Sequence, residues 1–312
     1  MDATAPLFAE VAEGPDGWQA VWLAADDGVR LRAAWSEGAR GTVFVWQGRT
    51  ECIEKYGRVA RELTDAGFAT VTHDWRGQGL ADRLAADGML GHAEDFADYQ
   101  RDAEAVFALA GRLGLPRPWM VLAHSMGGCI ALRSLMERRG GLARAVFSAP
   151  MWGIAGPPLL ALLAPVIGLA ARLTGRERKA YMPSTGPDCY LTTGEFADNT
   201  LTTDREHWDY MRRQVVAHPE LGLGGPSIRW VRLAMAETRR LARLPSPDTP
   251  ALCFLGSEEA VVDPQAIRAR MARWPGGELV EVDGARHEIL MEAPAIRAPV
   301  MARIVEFLTA GA

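Results

Sequence analysis

The chain has 312 residues, 34 Lys+Arg against 39 Asp+Glu, a formal net charge of −5, and 48% hydrophobic and 23% charged residues. That balance is ordinary for a globular protein and, with no block of clustered Lys/Arg, argues against nucleic-acid binding. The four cysteines, Cys52, Cys129, Cys189 and Cys253, lack metal-ligand spacing, and Cys129 and Cys253 sit in apolar runs as small hydrophobes.

Residues 18–23 and 29–35, joined by the turn signal Asp26-Asp27-Gly28, read as a hairpin with one wet face. Residues 41–46 form an apolar strand stopped by Gln47-Gly48-Arg49, and a helix over about 56–66 ends at Gly67. The next strand, 68–73, closes in Asp74-Trp75-Arg76-Gly77-Gln78-Gly79; Asp74 and Arg76 read as a charge pair holding that loop. A helix over about 94–113 leads to an apolar strand from Trp119 to Ala123, a helical pattern through Leu135-Met136, and a strand over 143–148. This alternation implies a mostly parallel sheet with helices on both faces, an α/β fold.

The alternation breaks at Ala149-Pro150 and resumes with strand 251–256, a helix near 264–274, strand 278–282 and a helix over 294–309. Residues 151–249 carry helical periodicity without a strong strand. They are expected to be a helical cap inserted after the sixth strand, with 1–150 and 250–312 forming the core. The uncharged run 149–171 contains Pro150, Pro157, Pro158 and Pro165, a density that argues against a spanning helix. The N-terminus shows no signal-peptide pattern, so a cytoplasmic location is expected.

The chemistry centres on His124-Ser125-Met126-Gly127-Gly128. A strand that turns into a helix over one serine is a nucleophile elbow, and its tight turn needs small neighbours. Ala123 stands where such elbows usually carry Gly. Parallel sheets gather ligand groups beyond the carboxyl ends of their strands. Two further strand ends supply Glu259 and Asp263, and then His287. The order serine, acid, histidine is that of the α/β-hydrolase fold. A serine hydroxyl needs a base to take its proton, and an acid fixes the tautomer of that base.

With these residues in place, the chain resembles the α/β-hydrolases grouped around lysophospholipase L2 and monoacylglycerol lipase, over roughly residues 18–309. The resemblance rests on Gly48-Arg49, on 74–79, on Gly91-His92 through Tyr99, on the elbow, and on His287-Glu288-Ile289-Leu290-Met291-Glu292. Within the insertion, Leu201-Thr202, Leu223-Gly224-Gly225-Pro226-Ser227 and Trp230-Val231 favour the lysophospholipase branch. It implies a serine hydrolase that cleaves lysophospholipids or monoacylglycerols through an acyl-enzyme on Ser125, activated by His287. The family spacing Gly-x-x-Asp places the acid at Glu259, at the strand tip; Asp263 is the other candidate. The resemblance also implies an oxyanion hole from the backbone N–H groups of Met126 and Arg49. Gln47 replaces the usual histidine, which puts the brace of that loop in doubt.

In the insertion, Leu159–Leu163 with Val166, Ile167 and Leu169 form an apolar set followed by Arg172, Arg176, Arg178 and Lys179. Such a pairing suits an acyl chain with an anionic headgroup, or peripheral contact with a lipid surface. Trp152, Trp208 and Trp230 are candidates for the acyl pocket, while His92, His207 and His218 read as surface or cap residues. No cofactor or metal is implied, since hydrolysis needs only water. Two other readings stand beside this one: an esterase or amidase for small substrates, and a non-enzymatic binder of an apolar ligand.

Overall fold

The computed structural model describes residues 3–155, 168, 170–183 and 185–311. Eight strands form one sheet: β1 Gln19–Ala24, β2 Arg30–Ser36, β3 Thr42–Trp46, β4 Ala69–Asp74, β5 Trp119–His124, β6 Arg144–Ser148, β7 Ala251–Gly256 and β8 Gly277–Val282. Their order is β1-β2-β4-β3-β5-β6-β7-β8. β2 runs antiparallel to β1 and to β4, and the pairs from β4 through β8 are parallel. Every residue of β3, β4, β5 and β7 is buried, whereas the edge strands β1 and β8 are partly exposed. Strands covered on both faces have no wet side to mark with polar residues, hence the unbroken apolar runs of the sequence.

Helices Gly57–Asp65, Tyr99–Arg112, Ser125–Met136 and Pro264–Met271 pack on these strands, and Pro294–Thr309 closes against the turn Ile289–Met291. The helix expected from about 94 starts at Tyr99, and the one expected from about 56 starts at Gly57; each follows a short turn. Ile53–Tyr56 and Phe96–Asp98 are single 3₁₀ turns, the second fixed by Asp95 and Asp98 exchanging hydrogen bonds with each other's backbone.

Between β6 and β7 the described residues hold helices Tyr190–Thr193, Arg205–Ala217 and Ile228–Ala242, and no named strand. The longer two begin at side-chain caps: Asp204 accepts from His207 N, and Ser227 from Trp230 N. The insertion is tied down onto the core. Tyr210 Oη donates to Ala12 O at 2.7 Å and Glu54 O at 2.8 Å, and Trp230 Nε1 donates to Tyr99 Oη at 3.0 Å.

The apolar set 159–163, 166, 167 and 169 lies outside the described residues. Of the basic cluster beyond it, Arg172, Arg176 and Lys179 are exposed, and Arg178 pairs with Glu94 at 3.0 Å. Among the described residues no helix is long and apolar enough to cross a membrane.

Candidate active site

The elbow is built as its sequence requires. Ser125 holds φ at 48°, a left-handed angle that side chains other than glycine rarely adopt. A Cβ at Gly127 would lie 2.4 Å from Trp46 O, and one at Gly128 2.5 Å from Pro150 Cβ. Only glycine therefore lets the elbow helix slide against the end of β3 and the chain leaving β6. Met151 N donates to Ser125 O at 2.8 Å, which pins the turn from the far side.

Two loops bring the partners. Beyond β7, Glu258 N donates to Ala285 O at 3.0 Å; beyond β8, Gly284 N donates to Ser257 Oγ at 2.8 Å, so the loops are stitched together. A Cβ at Gly256 would meet Ala285 O at 2.3 Å, which explains the glycine at the tip of β7. The result is a chain of hydrogen bonds. Ser125 Oγ stands 3.0 Å from His287 Nε2, and His287 Nδ1 stands 2.7 Å from Glu259 Oε2. Glu259 Oε1 also accepts from Val261 N at 2.6 Å and Val262 N at 3.1 Å. Burial pushes the Glu259 carboxyl up, but the bond to His287 and the two backbone donors outweigh it and hold the group below its ordinary value. An acid bonded at Nδ1 fixes the proton there and leaves Nε2 as the acceptor that a serine hydroxyl needs.

Asp263 is placed differently. It caps helix Pro264–Met271, its Oδ1 accepting from Gln265 N at 2.9 Å, and makes no bond to His287.

The family described as serine aminopeptidase, S33, matches residues 37–294. Lysophospholipase L2 of Escherichia coli K12 is 34% identical over 273 residues, covering 85% of this chain and 79% of the relative. The chain is an α/β-hydrolase of this family. A probable lysophospholipase L2 of Haemophilus influenzae is 28% identical over 86% of this chain and 84% of its own. A monoglyceride lipase of Saccharomyces cerevisiae superposes with a TM-score of 0.70 at 19% identity, covering 92% of this chain and 93% of that one.

In the hydrolase the serine and histidine open onto a cavity of about 430 Å³, lined mainly by apolar side chains that include Met151, Ile154, Leu191, Leu201, Met211 and Val231. Trp230 lines it, but Trp152 and Trp208, expected there, do not. Trp152 packs among Phe147 and Trp274 and donates from Nε1 to Gly128 O at 3.1 Å; Trp208 packs on Tyr190 and Phe196. Both indoles found apolar partners inside the fold, so burial claimed them before the cavity could.

The loop after β3 is braced without the usual histidine. Gln47 Nε2 donates to His73 O, Glu51 Oε2 accepts from Gly48 N, and Gln78 donates to Gly48 O at 2.8 Å while accepting from Thr50 N at 3.3 Å. The N–H of Arg49 thus lies between two tied neighbours. That of Met126 lies in the first turn of the elbow helix, where backbone donors have no intrahelical partner.

Behind this loop the hydrolase buries a group of charges that the reading of its sequence did not bring together. Lys55 Nζ is 2.6 Å from Glu51 Oε1 and 2.6 Å from Glu288 Oε1. His124 Nδ1 lies 3.0 Å from Ser148 O, an acceptor only, so that nitrogen carries a proton. Its Nε2 faces Glu288 Oε2 at 3.3 Å and Glu51 Oε1 at 3.6 Å. Burial pulls the His124 pKa down, but the two carboxylates outweigh it and the pKa is raised; by the same pairing Glu288 is held well below its ordinary value. Two carboxylates need two positive charges, and Lys55 supplies one. The three oxygen and nitrogen ligands of Glu51, His124 and Glu288 are close enough to hold a metal, but the Lys55 ammonium already lies between the carboxylates. The signal for this cluster was present in His124 and Glu288, each adjacent to a predicted site residue.

The remaining polar motifs are structural, with partners other than those expected. Asp74 and Arg76 do not pair with each other. Asp74 takes Arg32 Nε at 2.8 Å and the N–H of Leu80 at 2.8 Å, and Arg76 takes Asp102 and Asp27. His92 and His207 are buried, not at the surface, although His207 does lie in the 151–249 segment: His92 Nδ1 bonds Ser227 Oγ at 2.9 Å, and His207 Nδ1 bonds Asp204 at 2.7 Å. His218 is partly buried and stacks on Phe8. Leu201-Thr202 has a clear task, since Glu288 N donates to Leu201 O at 2.8 Å and Thr202 Oγ1 to Met291 O at 2.6 Å. The insertion thereby grips the loop that carries His287.

Proposed function

We propose that the protein cleaves carboxylic esters of lysophospholipids or monoacylglycerols through an acyl-enzyme on Ser125. His287 Nε2 takes the hydroxyl proton as Ser125 Oγ attacks the ester carbonyl, and Glu259 stabilises the imidazolium that forms. Negative charge then appears on the carbonyl oxygen, which the N–H groups of Met126 and Arg49 receive; each such donor typically contributes about 3 kcal/mol. As the tetrahedral species collapses, the carbon–oxygen bond to the alcohol breaks and His287 returns the proton to that oxygen. Water, deprotonated by the same histidine, attacks the acyl-enzyme and releases the fatty acid and free Ser125. Residues 151–249 act as the cap that shields these steps and supplies part of the acyl cavity.

The observation that carries the reading is the pair of hydrogen bonds from Ser125 to His287 and from His287 to Glu259, at 3.0 and 2.7 Å, opening on an apolar cavity. The names of the curated relatives support the lipid substrate. A fluorophosphonate probe should label Ser125, and Ser125→Ala should abolish both labelling and turnover. Turnover that survives in the variant would sink the proposal.

A second reading, a hydrolase for small esters or amides, is favoured by the description of the family as an aminopeptidase. Rates on p-nitrophenyl esters from acetate to palmitate separate the two, because an optimum at the shortest chains belongs to the second.

A further inference from the structure

Arg49 contributes more to the cavity than a backbone N–H. Its side chain lines the same space as Ser125, with Nη1 donating to Gly224 O at 3.1 Å and Cζ 5.6 Å from the centre of the Trp230 ring. Arginines 32 and 76, which are more deeply buried, each hold at least two carboxylates: Glu54 and Asp74 for one, Asp27 and Asp102 for the other. Lys55, the other cation on the cavity wall, is closed by Glu51 and Glu288. Among the described residues no carboxylate lies within ion-pair distance of Arg49. Burial without an acid partner pulls its pKa down to about 10, which leaves it charged at neutral pH. A guanidinium has five N–H donors in a planar fork, and here one carbonyl takes one of them.

Space is reserved for this side chain. A Cβ at Gly91 would lie 3.0 Å from Arg49 Nη1. Gly91 N donates to Gly225 O at 3.0 Å, and Ser227 N to Gly91 O at 2.8 Å, so core and insertion meet around the arginine. The glycine motifs on both sides of that seam thus frame a half-buried, unneutralised cation on the wall of the nucleophile's cavity. The exposed arginines of the 172–179 cluster do not line the cavity.

We propose that the Arg49 guanidinium is the specificity determinant for the alcohol half of the ester, taking the phosphodiester of a lysophospholipid and so ranking that lipid above a neutral monoacylglycerol. This rests on the ester reading above. The acyl chain takes apolar side chains of the wall, among them Met151, Ile154, Leu191 and Leu201, and in the same cavity Arg49 is the cation left without a carboxylate to receive the headgroup. A phosphodiester offers two oxygens to the fork, a geometry a glycerol hydroxyl does not supply.

The test is the ratio of kcat/KM for lysophosphatidylglycerol to that for the monoacylglycerol with the same short, monomeric acyl chain. It is measured in the wild type, in Arg49→Gln and in Arg49→Lys. The ratio should fall about 10- to 100-fold in the glutamine variant, as loss of a charge-assisted pair implies, and less in the lysine variant. If Arg49 only braces Gly224, both substrates lose equally, the ratio stays unchanged and the proposal is overturned. A binding arm uses the ether-linked analogues, which cannot be cleaved: Arg49→Gln should weaken the phosphodiester ligand and not the neutral one. Equal binding in that arm also overturns the proposal. Absence of ester turnover in the wild type, with this binding difference intact, would instead remove the ester reading alone.

Discussion

Two groups of polar side chains stand back to back at the ends of β3 and β5, and they use their hydrogen bonds in opposite ways. In the Ser125–His287–Glu259 chain each member bonds the next, and the serine end opens on the cavity. In the Glu51–Lys55–His124–Glu288 group the charges face one another; Glu51, Lys55 and Glu288 reach the cavity wall, but their charges are spent on each other. The rings of His124 and His287 lie only 4.7 Å apart, so the same residue type performs both tasks side by side. Chemistry needs a group with one side left for substrate, whereas a cluster whose charges pair with one another holds positions. Through Glu51 it holds the Gly48 turn, and through Glu288 the loop of His287.

The largest expected effect comes from the acid of the first group, set against the other acid on the same loop. Glu259→Gln should lower kcat by about 10²- to 10⁴-fold, because the amide no longer fixes the imidazole tautomer or balances its charge. Asp263→Asn should leave kcat within about threefold, since Asp263 acts as a helix cap and asparagine caps as well. A larger kcat loss at Asp263 than at Glu259 would reverse the assignment.

Lys55→Met addresses the enclosed group. It leaves two buried carboxylates without their cation, and the expected cost is about 3–5 kcal/mol of stability, read as the shift in urea midpoint. A change under about 1 kcal/mol would mean that the carboxylates had found water, and the group would not be a brace.

The smallest effect concerns pH. The folded pKa of His124 is raised above 6.5, so its stabilisation is complete below 6.5 and fades as pH rises through that elevated value. The Tm gap between wild type and His124→Asn should therefore be widest near about pH 6 and narrow toward about pH 9. A gap that widens with pH would place a neutral imidazole in the group.

Much of the active site was readable before the fold was seen, because the elbow imposes local rules. A strained serine needs glycine two and three places on, and Gly127 and Gly128 answer to that need within one turn. The choice between Glu259 and Asp263 leaned on the position of the strand tip, and both lie in a short stretch of polar residues. Their roles separate only when one meets His287 and the other meets Gln265 N. The three tryptophans show the opposite case. An indole in a helical insertion buries equally well against a neighbour or a cavity, and nothing in the spacing of Trp152, Trp208 and Trp230 says which.

The amino-acid order by itself determined the alternation of strands and helices, the place where it is interrupted, and the residue at the elbow. These follow from periodicity and from backbone angles, which depend on neighbours a few positions apart. Only the tertiary structure decided which charges face each other. Arg32 reaches Asp74, Lys55 reaches Glu288, and Arg49 reaches no acid at all among the described residues. An ion pair is set by distance in space and by exclusion of water, and neither is written in the separation of two residues along a chain.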